Sequence, residues 1–464
     1  MSTQETLSRE SFNGQKVVVF GFGVNGGGLG TVEFLLGTEV AKIVITDTKT
    51  EEQLQSTYTK LPSDSRLEWR LGGHSEQDFR EADIVIKNPG IRWDHPLILL
   101  AQAHGARILM DSTIFMALCV APVIGITGSK GKTTTATLVA EILMAAGHHV
   151  VCVGISQTGV LSELSKVTKN SVVVFELSSW RLSGLTGIEK SPELAIVTNL
   201  YPDHLNYYQS MEEYALDKAN IFLFQDKRGV LVLSQTNEWT EYFAKQAPGR
   251  VLYVGKTSDC SAWQDKERLY MRVDDEDMVL LEKKEAYLQG EYLFENFLAA
   301  SVVTGQYGVS VGIITKTLKT FRGVPYRFEL VREFGGVRYI NDTTATIPSA
   351  SLASLRSVIG PVILLAGGSD KGLPLDELVQ AIGQAKATAL FAGSGTDKLL
   401  ALLDNELIQK VQEVKSMEEA LIWARKQASP GDTVLLAPGA ASFGMFQNEF
   451  DRGEQFTSRV LALS

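Results

Sequence analysis

Short apolar runs alternate along this chain with stretches of helical period, in three successive blocks. In the first, Lys16–Gly21, Ala41–Thr46, Ala82–Lys87 and Arg107–Met110 read as strands. In the second, Pro122–Ile126, Ser171–Phe175, Glu193–Thr198, Val230–Leu233, Val251–Val254 and Leu269–Val273 do the same. The third holds Gly336–Ile340, Pro361–Leu365, Ala387–Phe391 and Asp432–Ala437. Most of these runs are nearly continuous in Val, Ile, Leu and Phe, the pattern of strands covered on both faces by helices. Helices are expected from Gly26 to Leu36 and over 133–143, 297–304 and 313–321. The pattern predicts an α/β protein of three domains. A Rossmann-like domain spans 1–118, a central P-loop ATPase domain spans 119–326, and a second Rossmann-like parallel sheet spans 327–464.

Between the strand ending at Ile126 and the helix from Thr133 lies Thr127-Gly-Ser-Lys-Gly-Lys-Thr-Thr134. Gly128 and Gly131 let backbone N–H groups of Ser129, Lys130 and their neighbours turn toward phosphate oxygens. The helix N-terminus adds positive potential, and Lys132 adds a point charge. Thr133, followed by Thr134, is placed to hold Mg²⁺ through its hydroxyl. Ile126 stands where the commoner motif has its first glycine, so the form is T-G-x-x-G-K-T. Strand, loop and helix in this order predict an ATP or GTP site.

The first block carries Gly21-Phe-Gly-Val-Asn25-Gly26, with Asp47 and Thr48 at the end of the next strand. This G-x-G-x-x-G unit admits three readings: a nicotinamide dinucleotide, another nucleotide, or close helix–strand packing alone. Asn88-Pro89-Gly90 lies at a strand's carboxyl end, where open α/β sheets take ligands.

In the second block Glu176 ends a strand near the P-loop, either as a Mg²⁺ ligand or as a solvated loop acid. Asp203 and His204 follow the next strand. Ser210 and Glu213 form an S-x-x-E capping box, so a helix begins there. Met211, Ala215, Lys218 and Phe222 then follow helical steps, which puts Lys218 on an apolar stripe. A buried ammonium must snorkel out, find a partner, or be modified.

Composition narrows the partners. A formal net charge of -10 argues against non-specific binding to nucleic acid or to an anionic membrane. Cys119, Cys152 and Cys260 are far apart with no metal spacing, which fits a reducing cytoplasm. The N-terminal stretch has no apolar signal region, and no run reaches membrane-spanning length. A cytoplasmic monomer is expected.

The ordered set TGSKGKTT, ELSSW, TNLYPDHLNYY, the Lys218 helix, YRFE, NDTTAT, GGSDKG and PGAAS resembles the Mur ligases of peptidoglycan synthesis, most nearly the MurD type. The resemblance covers nearly the whole chain. It implies an ATP-dependent amide ligase whose substrates are UDP-N-acetylmuramoyl-L-alanine and glutamate, with Mg²⁺ as cofactor. It turns Gly21, Gly23, Asn25, Gly26, Asp47, Thr48, Asn88, Pro89 and Gly90 toward UDP. It makes Lys132 a catalytic phosphate-binding residue, and Thr133, Glu176, His204 and a carbamylated Lys218 the metal site. Asn296, Arg327 and Asp342 would contact ATP; Thr346, Lys371 and Ser442 would contact the amino acid. The family's G-N-I-G is here Gly154-Ile-Ser-Gln157, and Thr344 stands for a lysine of N-D-S-K-A-T. The N-D-T-T-A-T-x-P form is similar to a subgroup in which some members add L-glutamate, so D- and L-glutamate both stay open. Rival readings are a folylpolyglutamate-synthetase-like or other Mur ligase, and, in a different class, an NAD-dependent oxidoreductase built on Gly21–Gly26.

Overall fold

The computed structural model describes residues 7–24, 26–155, 159–203, 207–288 and 290–463. Two compact units divide between Phe321 and Arg322. The first contains two sheets, and the expected domains 1–118 and 119–326 both begin within it.

The first sheet holds β1 (Lys16–Phe20), β2 (Lys42–Asp47), β3 (Leu67–Leu71), β4 (Ile84–Lys87) and β5 (Arg107–Leu109), all parallel, in the order β3-β2-β1-β4-β5. The order reverses between β1 and β4, so the crevice for a ligand opens at their carboxyl ends. Phe20 pairs directly with Lys87 there. Helix α1 (Gly27–Leu36) starts after Gly26, whose φ of 78° needs a glycine.

The second sheet has nine strands: β6 (Val123–Thr127), β7 (His149–Val153), β8 (Ser171–Glu176), β9 (Leu194–Val197), β10 (Val230–Ser234), β11 (Arg250–Gly255), β12 (Ala262–Gln264), β13 (Arg268–Val273) and β14 (Glu276–Glu282). β6 lies between β8 and β9, fully buried along its length. The last two strands are antiparallel. Helix α2 (Lys132–Ala145) follows β6, α3 (Met211–Ala219) follows the loop after β9, and α4 (Glu291–Gln306) packs on α2. Apolar side chains of β6, β8, β9 and α2, with those of α4, make one continuous core on that face.

The second unit holds β15 (Glu329–Phe334), β16 (Val337–Asn341), β17 (Val362–Gly367), β18 (Ala387–Phe391), β19 (Val411–Val414) and β20 (Thr433–Leu436), in the order β15-β16-β20-β17-β18-β19. All pairings are parallel except the edge pair β15–β16. Helix α5 (Glu449–Leu461) closes the chain.

Six strands were not expected from the apolar runs: β3, β7, β12, β14, β15 and β19. β3, β14, β15 and β19 mix charged with apolar residues and, like β7, are partly exposed edge strands, while β12 is only three residues long. The helix expected from Phe297 starts at Glu291, so Asn296 lies inside α4 rather than ahead of it.

Candidate active site

The loop between β6 and α2 is held from the next strand's loop. Thr198 Oγ1 donates to Lys130 O at 2.7 Å, the Lys130 N–H donates to Asn199 Oδ1 at 2.8 Å, and Ser129 N–H donates to Asn199 O at 3.0 Å. Gly131 has φ 83°, and a Cβ there would come within 2.6 Å of Asn296 Oδ1. The N–H groups of Ser129 and Lys130, expected to face phosphate, are thus both taken by Asn199, and what the loop offers an anion here is the N-terminus of α2 that follows Gly131. Beside it lies a cavity of about 350 Å³ between β9, β10 and α4. Lys130, Gly131 and Asn296 line its mouth, while Ile196, Val232 and Val254 give it apolar walls. A phosphate loop opening onto an apolar slot suits a nucleotide.

Lys132 sits at the first position of α2 and donates to Gly128 O at 3.0 Å and Ser129 O at 3.1 Å. Lys218 reaches the same place from α3. It is buried, with 1% of its surface exposed, on the stripe the sequence picked out. Its Nζ donates to Gly128 O at 3.0 Å and stands 4.5 Å from the centre of the Tyr214 ring. The Nζ atoms of two lysines thus share one carbonyl. Burial first, then the Lys132 charge, hold the Lys218 amine well below its ordinary range. Ser210 caps α3 through Glu213 N–H at 3.2 Å, as the capping-box spacing requires. Glu176 ends β8 beside β6, in register with Ile126. Thr133 is buried at the start of α2, and Thr134 is half-buried beside it.

A second cavity, about 510 Å³, opens at the carboxyl ends of β1 and β4. Gly21, Gly23, Asn88, Pro89 and Gly90 line one wall, and Ser178, Trp180 and Arg181 from the loop after β8 line the other. Asp111 and Arg181 join across it, Nη2 to Oδ2 at 3.0 Å. Asp47 accepts from the N–H of Gly23 at 2.8 Å and of Lys49 at 2.9 Å, so its carboxylate shapes the glycine turn. Thr48 is exposed. The apolar pattern had singled out neither Lys87, Asp111 nor Arg181, because each gains its meaning from segments far apart in sequence.

In the second unit, Thr346, Lys371 and Ser442 lie in the loops after β16, β17 and β20, three adjacent strands. Ser369 and Ala441 exchange backbone hydrogen bonds at 2.9 and 3.1 Å, tying two of these loops together. Asp342 accepts from Phe328 N–H at 3.1 Å and from Ser354, and burial raises its carboxyl above the usual range. Arg327 is exposed in the same unit.

Three family profiles match in chain order: "Mur ligase MurD-like, N-terminal domain" at residues 15–110, "Mur ligase middle domain" at 126–304 and "Mur ligase, glutamate ligase domain" at 326–440. The chain belongs to the Mur ligase family. It is similar to the UDP-N-acetylmuramoylalanine--D-glutamate ligase of Roseiflexus sp. (strain RS-1), 37% identical over 460 residues, or 96% of this chain and 97% of the relative. The ligase of the same name from Acetivibrio thermocellus is 33% identical, with 99% of each chain covered. Among solved structures, the UDP-N-acetylmuramate-alanine ligase MurC of Thermotoga maritima superposes with a TM-score of 0.58 at 17% identity, covering 97% of this chain and 99% of that one. The MurF ligase of the same organism in complex with ADP gives 0.54 at 17% identity, with full coverage of both. These likenesses carry the fold of the Mur ligases.

As a Mur ligase the chain is an ATP-dependent amide ligase. Asn25, His204 and the segment Ser156–Gln157 lie outside the described residues. An NAD-dependent oxidoreductase leaves the P-loop, Lys218 and the two further Mur ligase domains without a role.

Proposed function

We propose that this Mur ligase joins glutamate to UDP-N-acetylmuramoyl-L-alanine, with D-glutamate as the amine and Mg²⁺ as cofactor, acting in the cytoplasm as a monomer. Full-length similarity to relatives carrying that activity in their names supports the reading most strongly. The first unit adds to it, because a cleft of about 510 Å³ at Gly21–Gly23 and a P-loop occur in one compact body. No helix among the described residues is long and apolar enough to cross a membrane.

The residues fit a magnesium ion by donor chemistry. Thr133 at the start of α2 and Glu176 at the end of β8 offer oxygens, the ligand type Mg²⁺ takes, and His204 would complete the set. An ammonium at Lys218 opposes a cation there. Addition of CO₂ to its neutral amine forms an N–C bond and releases a proton, leaving a carbamate with two oxygens in place of the positive charge. Mg²⁺, when bound, would screen the charge on the transferring phosphoryl group.

The chain's own residues do the rest. The N-terminus of α2 and Lys132 hold the β- and γ-phosphates while a carboxylate oxygen of the alanyl substrate attacks the γ-phosphorus and ADP departs. Asn296 and Thr134 orient the nucleotide from α4 and α2, and the family resemblance assigns Arg327 and Asp342 to the nucleotide as well. The acyl phosphate formed is attacked by the glutamate amine, which loses a proton, and phosphate leaves. Thr346, Lys371 and Ser442 present that amine. Steady-state phosphate release with UDP-N-acetylmuramoyl-L-alanine and a panel of amino acids tests the reading. D-glutamate should stimulate release well above all others; stimulation by L-glutamate alone would overturn the stereochemistry, and by neither would overturn the substrate.

A further inference from the structure

Lys87 is a buried lysine that the reaction above does not use. It ends β4 and pairs across to Phe20, the residue before the Gly21 turn. Only 1% of it is exposed, yet it belongs to the lining of the 510 Å³ cleft. Its Nζ donates to Ile91 O at 2.8 Å and stands 4.4 Å from the centre of the Trp93 ring. Trp93 is itself fixed, donating from Nε1 to Ser183 Oγ at 2.8 Å. Among the described residues Lys87 forms no ion pair. The carboxylates that bear on it, Asp111 and Asp217, act at longer range, and Asp111 is engaged by Arg181 while Asp217 accepts from Tyr208 Oη at 3.0 Å. Burial lowers the Lys87 amine to about 8.

A buried ammonium without a carboxylate partner is costly. It is tolerable where a ligand brings the missing anion. Here the cation lies beside the glycine turn and Asn88–Gly90, at the point where the strand order reverses, which is where such sheets take a diphosphate. We infer that Lys87 is a substrate-positioning residue whose ammonium, held by Ile91 O and Trp93, is completed by a diphosphate oxygen of the nucleotide sugar.

The inference rests on the UDP-sugar reading of the cleft, and the test separates the two. Calorimetry on the whole protein measures binding of UDP-N-acetylmuramoyl-L-alanine and of UDP-N-acetylglucosamine, which shares the diphosphate but lacks the carboxylate. In Lys87→Met both dissociation constants should rise together, about 10- to 100-fold, as for loss of a charge-assisted hydrogen bond. KM for ATP should stay within about 2-fold. In the wild type, affinity should fall about 10-fold between pH 7 and pH 9 as Lys87 loses its proton, and the variant should lack that fall; Lys49 and Arg181, the other basic residues of the cleft, are present in both. A residue that only pins the Asn88–Ile91 loop would give no such pH difference. Unchanged binding of both ligands by the variant, or a loss confined to the alanyl substrate, overturns the assignment. If the variant does not fold, a flat wild-type profile from pH 7 to 9 overturns it. Failure of the wild type to bind any UDP sugar overturns the cleft reading itself, and the Lys87 assignment with it.

Discussion

Gly128→Ala is a sharp test of the phosphate loop, because the structure fixes what the new methyl group meets. A Cβ there would lie 1.9 Å from Thr198 Oγ1, 3.1 Å from Asn199 O and 3.2 Å from Asn199 N. Thr198 can turn aside only by giving up its bond to Lys130 O, which costs about 1 kcal/mol. The Asn199 backbone cannot turn aside. The φ of 147° at Gly128 adds roughly 1–3 kcal/mol for a residue with a side chain. The sum is about 2–4 kcal/mol, a fall in Tm of roughly 3–6 °C for a unit of this size. Because Asn199 and Thr198 hold the loop amides, ATP affinity should drop at least roughly ten-fold, the loss expected from one or two misplaced charge-assisted hydrogen bonds. Gly147→Ala is the control. It also has a positive φ, 87°, but nothing within 4 Å of its Cβ, so it should cost only the conformational term and leave ATP binding intact. Thermal unfolding and nucleotide titration of both variants decide the matter. Wild-type ATP affinity in Gly128→Ala, with an unchanged Tm, would refute the reasoning.

Two further outcomes follow from buried charges. Lys218→Ala should lose nearly all turnover, with partial return in acetate or formate, whereas Lys218→Arg should gain nothing from either; normal activity in Lys218→Ala would remove the carbamate from the account. Glu141 on α2 has its carboxyl raised by burial alone. A raised folded-state value stabilises only the protonated form, so its favourable contribution exists below about pH 4.3 and is lost as pH rises through the folded value. Glu141→Gln should therefore raise Tm at pH 7 and leave it unchanged near pH 4, as differential scanning calorimetry at both pH values would report.

The parts of the site visible in the sequence are those written locally. Gly128, Gly131 and Lys132 stand in one turn, and the Lys218 stripe obeys a helical period, so both were legible before any coordinates. Asn296 was legible as a residue but misplaced, since Gly290 reads as a turn and hides the start of α4. The strands β3 and β15 escaped because LEWRL and ELVREF lie at sheet edges, where charged side chains reach solvent and no apolar run is needed. Lys87, Asp111 and Arg181 escaped for a different reason. Their neighbours come from β4, the segment after β5 and the loop after β8, and only the crossing order of the first sheet brings these to one cleft. Asp47 ends β2, where an acid following G-x-G-x-x-G can reach a ribose, while both of its oxygens take backbone N–H groups of the turns beside it.

The central claim is that one carboxylate oxygen of the alanyl substrate passes to phosphorus during ligation. UDP-N-acetylmuramoyl-L-alanine labelled with oxygen-18 in its alanyl carboxylate, incubated with ATP, Mg²⁺ and D-glutamate, tests this directly by mass spectrometry. The account predicts inorganic phosphate carrying one labelled oxygen for each amide formed, with ADP as the other product. Unlabelled phosphate, or AMP and diphosphate in place of ADP and phosphate, would contradict it.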